Sequence, residues 1–141
     1  MKKIVIINGP NLNLLGVREP EIYGSRGLIG LIEDIKNKYP DIQISHFQSN
    51  IEGELIDALH ANGFDSDGIV FNPGGYTHTS IALRDAISAI ETPVIEVHIS
   101  NVHARENFRH ISLIAGKCKG TISGLGVFGY EAALLSFLQD S

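Results

Sequence analysis

The sequence predicts a single α/β domain built on a five-stranded parallel sheet, with helices on both faces. Short apolar runs alternate five times with segments whose apolar residues recur at helical spacing. Residues 4–7 and 68–71 are continuous apolar runs, as expected for strands buried on both faces. Five such units favour the flavodoxin-like strand order 2-1-3-4-5, and residues 1–141 are enough for one domain.

Five strands are predicted in chain order. They cover residues 4–7, 42–48, 68–71, 93–98 and 120–123. The second alternates apolar and polar residues, which is typical of a strand with one exposed face. In the loop after the fourth strand, a short helical turn is predicted near residues 105–108.

Helical spacing of apolar residues predicts four helices between and after these strands. The marker residues are Leu28, Leu31, Ile32 and Ile35; Leu55, Ile56 and Leu59; Ala82, Leu83, Ala86, Ile87 and Ile90; and Tyr130, Leu134, Leu135 and Leu138. Pro40 ends the first helix and Gly63 ends the second. Ser49 and Glu52 have the spacing of a capping box, and Thr79 can cap the third helix.

Composition and charge disfavour several classes of binding partner. The formal net charge is -5 without a basic run, which disfavours nucleic acid and anionic membranes. No apolar segment is long enough to span a bilayer, and residues 1–3 lead straight into a strand rather than a signal-peptide core. The single Cys118 fits a reducing compartment, so we expect a cytoplasmic protein. Its neighbours Lys117 and Lys119 can lower a thiol pKa, but a passive thiol is the favoured interpretation.

A long irregular loop follows the first strand. Glycines and prolines interrupt any regular pattern across residues 9–24. Loops of this length are often lids or binding loops, although a solvated surface loop is the alternative. This loop carries Asn11, Arg18 and Tyr23, which together can bind and deprotonate a polar substrate. We therefore predict an active-site lid at about residues 9–24.

Polar side chains also follow the other strands. Ligands of open parallel sheets bind beyond the carboxyl ends of the strands, where the strand order reverses. The polar groups at these ends are Asn8, Asn11, Arg18 and Tyr23; Asn72 and His78; His98, Ile99 and Ser100; and His103, Arg105 and Arg109. Their convergence predicts a binding site at this edge of the sheet.

These residue types suit removal of a proton beside a carbonyl, with loss of water from a hydroxylated acid. An unperturbed tyrosine has a pKa of about 10. The Arg18 guanidinium favours the phenolate of Tyr23, which is a strong base. Histidine exchanges protons near neutral pH, so His98 suits protonation of a leaving hydroxyl. Groups suited to carboxylate, hydroxyl or water oxygens are Asn11, Asn72, the N–H groups of Ile99 and Ser100, and Arg109.

Other interpretations compete with this one. His98 can be a structural histidine at a strand end, and Asp85 can be a solvated carboxylate or a partner for a neighbouring subunit. A metal site is disfavoured, because the spacing of its possible ligands matches no familiar set. Those ligands are His78, Glu96, His98 and His103. Acyl transfer is also disfavoured, since His98 and Ser100 lie two apart on a strand and do not meet.

Six groups of residues together resemble one family, the type II 3-dehydroquinate dehydratases, also called type II dehydroquinases. These motifs are Gly9-Pro-Asn-Leu-Asn-Leu-Leu-Gly16; Arg18-Glu-Pro20 with Tyr23-Gly24; Phe47-Gln-Ser-Asn50 with Glu52-Gly-Glu54; Asn72-Pro-Gly74 with Tyr76-Thr-His-Thr79; Ala82-Leu-Arg-Asp85; and Glu96-Val-His-Ile-Ser-Asn101 with Arg105 and Phe108-Arg109. They occur in the family's order and cover nearly the whole chain.

The resemblance implies a cofactor-free hydro-lyase that converts 3-dehydroquinate into 3-dehydroshikimate through an enolate, in the shikimate pathway. Tyr23, activated by Arg18, would be the base. Asn11 would hold a water on the enolate oxygen, and His98 would protonate the departing hydroxyl. The implied substrate-binding residues are Asn72, His78, Asp85, Ile99, Ser100 and Arg109. No metal, nucleotide or Schiff-base lysine is implied.

The resemblance also implies a homododecamer built from trimers, in which Asp85 reaches across a subunit interface. Three positions depart from the family pattern. Gly75 stands where alanine is common and Ile51 where histidine is frequent, with little effect expected. Arg26 and Gly27 stand where a threonine usually precedes the first helix, which removes a cap and puts turnover speed in question.

A binding module is the alternative from another class. Such a domain would hold a hydroxy acid or a nucleotide without changing it. The first turn carries neither the G-x-G-x-x-G nor the Walker phosphate loop, which disfavours a nucleotide. The first strand lacks the acidic cluster of a phosphorylated receiver domain. A passive acid binder would also not need Tyr23 beside Arg18.

Overall fold

The sheet predicted from the sequence is confirmed. The computed structural model describes residues 1–17 and 27–139, and its five parallel strands lie in the order 2-1-3-4-5. The strands are β1 (Lys3–Asn8), β2 (Gln43–Gln48), β3 (Gly68–Asn72), β4 (Val94–His98) and β5 (Gly120–Ser123). Each matches its predicted range to within one residue at either end.

In the described part of the chain, four helices cover the sheet. They are α1 (Gly27–Lys38), α2 (Glu52–Asn62), α3 (Ile81–Ala89) and α4 (Phe128–Leu138). On one face, α1 and α4 pack on Ile4 and Ile6 of β1. On the other, α2 and α3 pack on Val5 and Ile7. Successive side chains of a strand point to opposite faces, which explains why β1, β3 and β4 are apolar throughout.

The strand register brings the carboxyl ends of the central strands together. Asn8 of β1 lies beside Asn72 of β3, and Phe71 of β3 lies beside Glu96 of β4. Polar residues at the ends of these strands therefore share one edge of the sheet. The loop predicted as a lid, residues 9–24, begins at this edge, but residues 18–26 lie outside the described part of the chain.

Both predicted helix caps are wrong in detail. Ser80, not Thr79, caps α3, and its Oγ accepts a hydrogen bond of 2.9 Å from the Leu83 N–H. The reason is that residues 74–78 form a 3-10 helix, which delays the start of α3. The predicted marker Ile90 falls just beyond the end of that helix.

The capping box predicted for α2 does not form. Ile51 occupies the N-cap position, and Ser49 Oγ instead accepts from the Ile51 N–H at 3.0 Å. Glu52 accepts a hydrogen bond from Ser80 Oγ, so it joins α2 to α3 rather than capping its own helix. The helical turn predicted near residues 105–108 is found as two 3-10 turns, at Val102–Ala104 and Asn107–Arg109.

Gly27 begins α1 in a conformation that favours glycine. Its φ is 65°, and a Cβ at this position would lie 2.5 Å from the Leu15 carbonyl oxygen. A threonine here would therefore be strained, whatever it contributed as a cap. Within residues 1–17 and 27–139, no helix has the length and apolar character needed to cross a membrane.

Partly buried His46 on β2 makes the fold less stable under acidic conditions. Burial, with a smaller contribution from Lys36, lowers the pKa of the His46 side chain from 6.5 to about 4. In the unfolded chain this group binds a proton below about pH 6.5, whereas in the folded chain it stays neutral until about pH 4. The unfolded state therefore binds more protons in this window, and stability is lost as the pH falls through it.

We expect the free energy of unfolding to fall by about 1 kcal/mol between pH 7 and pH 5 on account of His46, because solvent screens about half of the full linkage effect at this partly exposed ring. Urea unfolding at fixed protein concentration measures the difference. In His46→Gln the residue no longer titrates, and this part of the pH dependence should disappear. An unchanged pH dependence in that variant would contradict the prediction.

Candidate active site

A cavity of about 450 Å³ opens at the carboxyl edge of the sheet, which is a typical size for a small-molecule site. Eight of the residues predicted from the sequence line it, namely Asn11, Asn72, His78, His98, Ile99, Ser100, Arg105 and Arg109. The predicted Arg18 and Tyr23 lie outside the described residues.

His98 ends β4 at the wall of this cavity and is only 8% exposed. Its Nε2 pairs with a carboxylate oxygen of Glu96, which is 2% exposed. Ser112 Oγ donates to the other oxygen of Glu96 at 2.8 Å. A carboxylate can only accept, so Nε2 carries a hydrogen and Nδ1 is the remaining nitrogen of the ring. A buried carboxylate therefore orients His98 at the wall of the cavity.

Glu96 is a candidate functional residue that sequence reasoning missed, since it was considered only as a possible metal ligand and quoted within a family motif. Residues two positions apart on a strand share a face, so Glu96 and His98 both point to the same side of β4. A buried charge requires a partner, and the imidazole supplies one. An acidic residue inside an otherwise apolar strand, two positions before a histidine, was the signal that could have found it. Such a pair fixes the tautomer and the orientation of the ring, as the aspartate of a catalytic triad does.

His78 extends from the 3-10 helix of residues 74–78 toward the same cavity. Its Nδ1 lies 2.9 Å from the carbonyl oxygen of Ile111, so Nδ1 carries the hydrogen. The ring is stacked with that of His98, with centroids 6.4 Å apart and an interplanar angle of 20°. Neutral His78 can then accept a hydrogen bond at Nε2, which suits a substrate hydroxyl.

Asn72 closes the end of β3 and is 4% exposed. Its Nδ2 donates to the Tyr130 hydroxyl at 2.9 Å, and its Oδ1 accepts from the Gly74 N–H at 3.1 Å. The amide is thus held at both ends. Each end keeps capacity for one more hydrogen bond, since the amide has two hydrogens and its oxygen has two lone pairs.

The loops after β1 and β3 pack tightly against each other through glycines. A Cβ on Gly9 would lie 2.5 Å from the Pro73 carbonyl oxygen. Gly74 has a φ of 62°, and its Cβ would lie 3.0 Å from the Pro10 oxygen. At Gly75, which lines the cavity, a Cβ would meet nothing within 4 Å. Alanine fits at this position, which agrees with the small effect expected of that departure.

Asn11 lies in the left-handed region with a φ of 72°, which asparagine tolerates better than most residues. Its backbone N–H donates to Asn50 Oδ1 at 3.0 Å. Gln48 donates to the same Asn50 oxygen at 3.2 Å and to the Gly9 carbonyl at 3.1 Å. These bonds fix the start of the long loop and place Asn11 at the cavity.

Two arginines bring positive charge to the cavity. Arg105 donates to Ser100 Oγ at 3.3 Å. Arg109 lies over the Phe108 ring, 5.0 Å from its centroid, and its Nε contacts both carboxylate oxygens of Glu106 at 3.2 and 3.3 Å. Guanidinium groups in a partly enclosed cavity suit an anionic substrate, above all a carboxylate.

Asp85 does not line the cavity. It is exposed on α3, so within one chain it contributes nothing to this site. Among the described residues, no group of three or more histidine, cysteine, aspartate or glutamate side chains could hold a metal ion. The passive interpretation of Cys118 is confirmed, because burial and the charge of Glu96 raise the pKa of the thiol to about 12.

Comparison with known proteins places this fold and cavity in one family. A family model described as Dehydroquinase class II matches residues 2–138. A 3-dehydroquinate dehydratase of Exiguobacterium sp. is 54% identical over 138 residues, which cover 97% of this chain and 94% of that enzyme. A catabolic 3-dehydroquinase of Emericella nidulans is 53% identical, and the match covers 94% of this chain and 88% of that enzyme.

A solved structure agrees with these sequence matches. The type II dehydroquinase of Butyrivibrio crossotus has a TM-score of 0.91 to this chain at 46% identity, and the match covers 98% of each chain. Because it spans nearly the whole sequence, the chain belongs to the class II dehydroquinases, a family of hydro-lyases.

Proposed function

We propose that this chain is a cofactor-free catalytic domain that eliminates water from 3-dehydroquinate to give 3-dehydroshikimate through an enolate. The observation that carries the proposal is the pairing of His98 with the buried Glu96 at the wall of a cavity that also holds two arginines. A proton donor beside cationic groups suits an anionic substrate that must lose a hydroxyl. Family membership supplies the substrate.

His98 acts as the general acid. Since Nε2 is engaged by Glu96, Nδ1 is the nitrogen that delivers a proton to the departing hydroxyl. The carbon–oxygen bond breaks, the enolate collapses to the conjugated ketone, and water leaves. Glu96 stabilises the imidazolium before transfer and keeps the ring oriented afterwards. The ring position is thus set by the fold before substrate arrives.

Tyr23 acts as the base, and Arg18 favours its phenolate. This assignment rests on the residue types, their shared loop and the family motif, because both residues lie outside the described part of the chain. The phenolate removes the proton on the carbon beside the ketone. Asn11, whose position at the cavity supports its role, holds a water on the enolate oxygen.

The remaining cavity residues bind the substrate. Asn72 and the Ile99–Ser100 segment hold the carboxylate, and Arg109 binds a ring hydroxyl. His78 accepts a hydrogen bond from another hydroxyl at Nε2, in agreement with the tautomer set by Ile111. None of these steps uses a metal, a nucleotide or a Schiff-base lysine.

The chain assembles as a dodecamer built from trimers in the cytoplasm and serves the shikimate pathway of aromatic amino acid biosynthesis. Asp85 reaches the cavity of an adjacent subunit. The exposure of Asp85 on α3 supports this placement, because its carboxylate is accessible to a neighbouring subunit.

A spectroscopic assay with 3-dehydroquinate tests the proposal directly. Ultraviolet absorption of the conjugated product should appear, and prior treatment with borohydride should leave the rate unchanged. Loss of activity after borohydride would keep the reaction but overturn the lysine-free mechanism. A folded, assembled sample with no activity would overturn the dehydratase proposal in favour of a binding module.

A further inference from the structure

Tyr130 of α4 connects the candidate active site to the protein core, although it does not line the cavity. The ring is 0% exposed, and its hydroxyl lies between the ends of β1 and β3. It donates to Asn8 Oδ1 and accepts from Asn72 Nδ2 at 2.9 Å. Asn8 in turn lies 3.1 Å from His46 through its Nδ2. A single chain of hydrogen bonds therefore joins the edge strand β2 to the floor of the cavity.

The direction of each bond in this chain is determined. Reversing the chain would turn the Asn72 amide around and place its NH₂ group against the Gly74 N–H. Two donors would then face each other, so Gly74 requires Oδ1 on its side and Nδ2 on the Tyr130 side. The phenol must accept from Asn72 and give its one hydrogen to Asn8. Neutral His46 accepts at the far end, in agreement with the low pKa of its ring.

The buried hydroxyl of Tyr130 matters for its hydrogen bonds and not for the volume that it fills. Its neighbours in the core cluster are apolar, and phenylalanine would fill the same volume. Without the hydroxyl, Asn8 Oδ1 and Asn72 Nδ2 would lose a partner at positions that are 0% and 4% exposed. Buried amides left unpaired turn toward other partners, and at Asn72 the available partners lie at the cavity and the Gly74 turn.

We propose that Tyr130 is a positioning residue, whose hydroxyl holds the Asn72 amide and the Gly74 turn in the orientation that binds the substrate carboxylate. This inference rests on the proposed function, because it requires Asn72 to contact the substrate. Tyr130 acts on binding and not on the proton transfer by His98, from which it is separated by Asn72. Its effect therefore falls on KM rather than on kcat.

The test is Tyr130→Phe, alone and combined with Asn72→Ala. We expect Tyr130→Phe to raise KM for 3-dehydroquinate about tenfold with kcat within about threefold, the size of one lost hydrogen bond. In the Asn72→Ala background the same change should alter KM less than about twofold, because the residue through which it acts is gone. Tyr39→Phe is the matched control, since its hydroxyl donates to Glu131 at 2.7 Å between α1 and α4.

Several outcomes would overturn the inference. One is a KM increase that is equal in both backgrounds, and another is a lower melting temperature with unchanged KM. If Asn72→Ala leaves KM unchanged, Asn72 does not bind the substrate and the inference fails with that assignment. Wild-type protein without dehydratase activity would instead reject the proposed function, before any variant is compared.

A second variant covers the case in which Tyr130→Phe does not fold. Incorporation of 3-fluorotyrosine at position 130 keeps the ring and the hydroxyl but weakens the hydroxyl oxygen as an acceptor for Asn72. A smaller rise in KM, again absent in the Asn72→Ala background, is expected. An unchanged KM would overturn the inference.

Discussion

Replacement of His98 by asparagine should lower kcat about 10³-fold, within the range attributed to general acid catalysis, while KM changes little. Asparagine can still donate to Glu96, so the buried carboxylate is not left without a partner. What is lost is the group that carries a proton to the leaving hydroxyl. Steady-state kinetics with 3-dehydroquinate measure the change.

His60→Asn is the control for this experiment. His60 is an exposed histidine on α2 and does not line the cavity. Its replacement should leave both kinetic constants unchanged. Activity of His98→Asn within tenfold of wild type would show that another group protonates the hydroxyl.

Tyr23→Phe should reduce kcat by about 10³ to 10⁴, because phenylalanine has no oxygen to accept the carbon-bound proton. Binding should weaken only modestly, since the ring and its shape are kept. Kinetics give kcat, and calorimetric titration of a substrate analogue gives the affinity separately. If the protein is instead a binding module, no difference between the effects on kcat and on affinity is expected, because such a protein has no turnover.

Tyr39→Phe again serves for comparison, since it removes a phenol hydroxyl remote from the cavity. It should keep full turnover. Undiminished turnover in Tyr23→Phe would reject the role of that residue as the base. Residual turnover that rises steeply with pH would instead point to hydroxide acting in its place.

The fold was predictable because the central strands are buried on both faces. Such strands must be apolar throughout, as in residues 4–7 and 68–71. A continuous apolar run can be recognised locally, without knowing which other parts of the chain contact it. The position of the site followed from the same fact. Parallel strands bring their carboxyl ends to one edge, so Asn72 and His98 had to lie close together whatever the details of their loops.

The details that failed depend on contacts between distant parts of the chain. Glu52 was expected to cap its own helix but binds Ser80 of the next one. Tyr130 was read only as an apolar marker of the last helix, although its hydroxyl meets Asn8, 122 positions earlier. Periodicity identifies which face of a helix is buried, but it does not show which polar group of another element contacts that face.

Three glycines in the loops after β1 and β3 differ in how far they can be engineered. A side chain at Gly9 would collide with the facing loop, and one at Gly74 would be crowded by Pro10 and strained by its φ of 62°, so substitutions at both positions should destabilise the protein. Gly75 has open space, and a methyl group there would reshape the cavity without moving the backbone. Where relatives carry alanine at this position, an inhibitor grown into the space above Gly75 would clash with them. The missing methyl group at Gly75 could therefore be used to design compounds that bind this chain selectively.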